Sequence, residues 1–139
     1  MGINARTAQR FNGVTSQALS GSAPQTGAGN AVLMNDVEVG SLSAYVSCLV
    51  TTNTMTVTAK WQVSIDNSTW VDCSTANSAA LVTFATGTGA GVTTTKVVEA
   101  PNGVYGHLYA RCVVITGVAS AGGAGQDEYT ISYNYRRPF

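Results

Sequence analysis

The chain has 139 residues, 45% of them hydrophobic and only 10% charged, with seven basic side chains balancing seven acidic ones. A soluble domain carries about 25% charged residues on average, so here Thr, Ser, Asn, Gly and Ala must fill most solvent-facing positions, or neighbouring subunits must cover them. Zero net charge recruits neither nucleic acid nor an anionic membrane, and there is no apolar run of 18 residues to span one.

Residues 1–30 are rich in Gly, Ser, Ala, Gln, Asn and Thr, and their few large apolar groups follow neither helical nor alternating spacing. "SGSAPQTGAGN", Ser20 to Asn30, has the composition of a linker. This segment is expected to be an extended, flexible arm, disordered alone or ordered by lying along a partner, with room for a short helix near Arg6–Asn12. Residues 31–139 are expected to form the folded body. No apolar run near the start has the form of a secretory signal.

From Ala31 onward the pattern is that of β structure. Ala31–Val39 and Ser43–Thr51 are apolar-rich runs separated by Gly40. Met55 to Asp66 then alternates strictly. Met55, Val57, Ala59, Trp61, Val63 and Ile65 share one face, and Thr56, Thr58, Lys60, Gln62, Ser64 and Asp66 the other, as in a half-buried strand. Asp66-Asn67-Ser68-Thr69 supplies a turn, and Trp70–Cys73 starts the return. Short strands are expected at Leu81–Phe84 and Thr94–Glu99. A turn follows at Pro101-Asn102-Gly103, then a long strand over Tyr105–Val118 and a last alternating one over Tyr129–Tyr135. Seven or eight strands without a convincing helix make an all-β fold: an antiparallel β-sandwich, jelly-roll or Ig-like, with an extended N-terminal arm.

The residues offer little catalytic equipment. His107 is the one histidine and is expected within a strand in a structural role. Asp36 with Glu38, or Asp127 with Glu128, could supply part of a calcium site, but no D-x-D-x-D-G loop is present. The glycines lie in no phosphate-binding context. Cys48, Cys73 and Cys112 lack disulfide or zinc spacing and read as buried apolar residues, with one disulfide left open. Trp61, Tyr129 and Tyr133 are expected in the core. Trp70, Tyr105, Tyr109 and Tyr135 could form a subunit contact or a sugar-stacking platform. The expectation is a non-enzyme with no catalytic residue, cofactor or metal.

The hairpin "WQVSIDNSTWVDC", with Ser64, Asp66 and Trp70 around its turn, and the later "YGHLYARCVVITG" resemble small all-β structural proteins of tailed-bacteriophage virions. Capsid cement (decoration) proteins are the nearest type, with tail proteins second. The resemblance covers Lys60–Asp72 and Tyr105–Gly117. Related elements occur in discoidin-like sugar-binding modules, whose ligand loops cannot be matched here residue by residue. The resemblance implies a virion protein on the capsid surface, commonly a homotrimer, that contacts the major capsid protein and bridges capsomers, with neither nucleic acid nor membrane as partner. The alternative it implies is a carbohydrate-binding module of a tail or fibre. Both chain ends are weakly basic, which makes Arg6, Arg10, Phe11, Arg136, Arg137 and Phe139 the candidate assembly contacts.

Overall fold

The computed structural model describes residues 8–18, 25–50, 56–73, 82–85, 92–116 and 128–137. Ten strands occur among them: β1 (Ala8–Ala18), β2 (Gln25–Ala28), β3 (Val32–Leu33), β4 (Ser43–Val50), β5 (Thr56–Ser64), β6 (Val71–Asp72), β7 (Val82–Ala85), β8 (Val92–Glu99), β9 (Tyr109–Thr116) and β10 (Glu128–Arg136). One sheet runs β1-β10-β4-β8. The other runs β2-β9-β5-β6, with β3 also on β9 and β7 also on β5.

The two-residue strands β3 and β6 aside, the pairing follows one rule. The first strand pairs the last (β1·β10), the second pairs the second-last (β2·β9), and the third pairs the third-last (β4·β8). The two central strands, β5 and β7, pair each other. The chain is therefore one long antiparallel hairpin rolled into two layers, which is the jelly-roll and not the Ig-like order.

Packing between the layers follows from residue size. β10 sends Tyr129, Ile131, Tyr133 and Tyr135 inward, and in the ladder Tyr129 lies opposite Cys48 and Tyr133 opposite Ala44. In the other sheet Trp61 lies opposite Cys112, and Val63 opposite Ala110. Setting a large side chain beside a small one lets the two inner faces interdigitate without voids. Trp61, Tyr129 and Tyr133 are fully buried, as expected from their alternation, and the Trp61 and Tyr133 rings meet at 5.9 Å between centroids.

Tyr133 also joins the sheets by a hydrogen bond. β2 and β3 both pair with β9 but leave a gap between them, opposite Cys112. There the Cys112 N–H donates to the Tyr133 hydroxyl at 3.0 Å, and the Gly29 N–H donates to the Cys112 carbonyl at 2.9 Å. A Cβ on Gly29 would stand 2.3 Å from the Tyr133 oxygen, so only glycine lets the hydroxyl reach this position.

Four local expectations need correction. Of Ala31–Val39, only Val32 and Leu33 are strand; Met34–Asp36 form a 3-10 turn, stabilised where the Met34 N–H donates to the Leu108 carbonyl. β5 ends at Ser64, so Ile65 leaves the core face and stands 77% exposed while Ser64 is buried. The run from Tyr105 begins as a 3-10 turn over Asn102–Gly106, and His107 lies exposed between that turn and β9. Residues 8–12, where a helix had room, are strand.

Candidate assembly surface

Within the segment expected as an arm, β1 lies along β10 and β2 along β9 of the same chain. Among the candidate contacts, Arg6 and Phe139 lie outside the described residues. Arg10 and Phe11 are placed by their backbones, opposite Asn134 and the buried Tyr133 respectively. Arg137 is exposed just past β10. Arg136 is engaged within the chain: its Nε donates to Glu38 Oε2 at 2.9 Å, its N–H to Ser41 Oγ at 3.0 Å, and its carbonyl accepts from the Glu38 N–H at 2.7 Å. These bonds tie the end of β10 to the 34–42 connection, across 98 residues of sequence. The six candidates do not gather at one described site.

Two broad surfaces stand out, one on each sheet. The outer face of β9, β5 and β6 is a bonded polar network. Lys60 Nζ donates to Asp72 Oδ2 at 2.9 Å, Gln62 Nε2 to Asp72 Oδ1 at 3.0 Å, and Arg111 Nε to Gln62 Oε1 at 2.9 Å. The Arg111 guanidinium then lies 4.2 Å over the Trp70 ring, a cation–π contact. The bonds from Gln62 and Lys60 hold the Asp72 carboxyl below its ordinary pKa. Trp70 is thus covered by Arg111, Tyr135 is buried, and the Tyr105 hydroxyl accepts the Leu42 N–H at 2.9 Å. Tyr135, buried in the core, does not join Trp70 in a stacking platform.

The outer face of β10, β4 and β8 has a different chemistry. Register sets Ser132, Tyr45 and Val97 in one row and Thr130, Ser47 and Thr95 in the next. Asn134, Ser43 and Glu99 form the row at one end, and Glu128, Leu49 and Thr93 the row at the other. Charged positions therefore fall only in the end rows. Tyr45 is 43% and Val97 49% exposed, and Ser47 Oγ lies 2.7 Å from Thr95 Oγ1, so one of these two hydroxyls donates to the other. A shallow depression of about 330 Å³ lies beside Tyr45, Ser47, Thr95, Ser132 and Asn134.

A groove of about 580 Å³ lies at one end of the body, beneath the 65–69 turn. Val63, Cys73, Ile65 and Val71 form its apolar part, and Asp66, Asp72 and His107 its polar rim. Asp66 is fully engaged in shaping the turn. Its Oδ1 accepts from the Ser68 N–H at 2.9 Å, the Thr69 N–H at 2.8 Å and Ser64 Oγ at 2.9 Å, while Asn67 takes φ +58°. The Thr69 and Ser68 N–H groups, then the Ser64 hydroxyl, pull the Asp66 pKa down to about 2.

Among the described residues, no three His, Cys, Asp or Glu side chains converge on one point. Cys48, Cys73 and Cys112 are buried free thiols, and desolvation pushes Cys48 and Cys112 up to about 12, so they stay protonated and inert at neutral pH.

Neither a family model nor a curated protein sequence matches the chain. Solved structures do. A structure of infectious bursal disease virus, Gx strain, superposes with a TM-score of 0.56 at 11% identity, over 96% of this chain and 32% of that one. The exported protein XepA of PBSX gives 0.47 at 14%, over 96% and 38%. Desmodium yellow mottle tymovirus gives 0.40 at 10%, over 100% and 92%. This chain is thus only a part of the length of the first two. The first superposition bears on architecture alone: the two-sheet β-sandwich recurs within a viral structure.

Proposed function

We propose that this chain is a structural virion protein, specifically a capsid cement protein that binds the outer surface of an icosahedral phage shell and bridges neighbouring capsomers. Its work is mechanical and involves no catalysis; multivalent attachment turns modest contacts into firm bracing. The observation that carries the reading is the uncharged centre of the β10-β4-β8 face, where the Ser47 and Thr95 hydroxyls bond each other. A surface of that kind loses little on desolvation and is suited to burial against protein. The recurrence of the fold within a viral structure supports the same reading.

The test is to mix the purified protein with shells assembled without it and image them by electron microscopy. Regular density on the shell exterior is the expected result. Bare shells at saturating protein, together with glycan binding that Trp70→Ala abolishes, would place the chain with the tail-associated carbohydrate modules instead.

A further inference from the structure

We propose that the groove beneath the 65–69 turn seats an extended peptide segment of a partner protein, one that sets an apolar side chain beside a lysine or arginine. The inference goes beyond the assembly reading, because this groove belongs to the layer of β5 and β6 and not to the neutral β10-β4-β8 face. Val71 lies opposite Val63 in the ladder and so shares its face, the core side of the sheet. Val63 is buried there, whereas Val71 is exposed. The core is thus open at this corner: Val63 and Cys73, both members of it, line the groove together with Ile65 and Val71. Of the seven large apolar side chains left exposed among the described residues, Ile65 and Val71 are two of the three most exposed. A concave apolar hollow of about 580 Å³ with a few polar groups at its rim has the form of a binding site.

Charge selects the occupant. Asp66 and Asp72 stand at the rim, and no lysine or arginine lines the groove. Lys60 offsets Asp72 from the outer face of the sheet. Glu99 adds to the negative field. Burial raises the pKa of Tyr105, the nearby Glu99 charge raises it further, and Tyr105 sits in the Asn102–Gly106 turn whose Gly103 walls the groove. A negative rim around an apolar floor attracts a cation joined to an apolar group and repels nucleic acid and anionic lipid. A second copy placed on the same groove about a two-fold axis would set Asp66 against its own like charge. The wall is also pre-formed: the Ser68 and Thr69 N–H groups and the Ser64 hydroxyl already hold Asp66 Oδ1, so little of the turn remains to be ordered on binding.

The experiment titrates the full chain, by isothermal calorimetry, with a short synthetic peptide carrying a leucine flanked by arginines. Saturable binding is expected, with a Kd between roughly 10 μM and 1 mM. Ile65→Ser and Val71→Ser should each weaken it about 10-fold, since each removes apolar area that the leucine covers. Asp66→Asn keeps an oxygen for the Ser68 and Thr69 N–H groups but loses the charge, and should weaken binding about 3-fold at low salt and not at high salt. Tyr45→Ser, on the neutral face, should change nothing. Peptides with serine for the leucine, or glutamates for the arginines, should not bind. Circular dichroism checks that the variants are folded; Ile65 and Val71 are both exposed, and each serves as the second probe for the other. No binding at millimolar peptide, equal binding of the glutamate peptide, or binding indifferent to Ile65 and Val71 overturns the proposal. So does self-association of the wild-type chain that Ile65→Ser abolishes while the peptide stays unbound, which would give the groove to a second copy. Bound peptide with bare shells would keep this inference and remove the cement reading, and decorated shells with no bound peptide would do the reverse.

Discussion

The two outer faces of this sandwich cover one core and share one backbone geometry, yet they carry opposite kinds of surface. On β9, β5 and β6, Lys60, Asp72, Gln62, Arg111 and Trp70 form a chain of hydrogen bonds, an ion pair and a cation–π contact. On β10, β4 and β8 the central rows hold only hydroxyls, Tyr45 and Val97. The first face satisfies its charges among themselves. The second loses little when water leaves it.

That contrast can be broken at several depths. Trp61→Ala empties the core beneath both faces and should cost about 3–5 kcal/mol in chemical denaturation, abolishing association only by unfolding the chain. Tyr133→Phe leaves the packing intact but strands the buried Cys112 N–H, and should cost about 1–3 kcal/mol by the same measurement. Lys60→Ala removes an ion pair whose side chains are 24% and 55% exposed, so its stability cost should be at most about 1 kcal/mol. An equally small stability change from Thr95→Lys, paired with lost association, would sharpen the difference between the faces.

The smallest expected effect is confined to acid. The Asp66 pKa is lowered in the fold, so its contribution is complete above the unfolded value of 3.8 and is lost as pH falls toward about 2. Thermal melts between pH 4 and 2 should show Asp66→Asn losing less stability over that interval than wild type. Equal losses would mean that the turn bonds are not made through the carboxylate.

Legibility followed locality. The alternation of β5 from Val57 to Val63 and of β10 from Tyr129 to Tyr135 was readable because each strand is regular and buried on one face. The Asp66 turn was readable because its bonds span three residues. β1 was not. Its register against β10 shifts between Asn12 and Val14 and again between Val14 and Gln17, so two bulges reset the period-two pattern within eleven residues. Ile65 kept the alternation on paper, but Ser64 ended the strand by bonding to Asp66. His107 was misplaced because the turn at Pro101 continues as a 3-10 turn through Gly106. The choice between jelly-roll and Ig-like order depended on which distant strands pair, and no local stretch records it. The neutral face was invisible for the same reason, since its rows join residues 45, 97 and 132, and Glu38 meets Arg136 across a comparable distance.

Hydroxyl-radical labelling of Tyr45 and Trp70 in one sample compares the two faces directly, free in solution and on shells. Tyr45 should become protected as the protein associates while Trp70 stays equally reactive throughout. Tyr45 labelled to the same extent in both states would mean that the shell does not cover the neutral face.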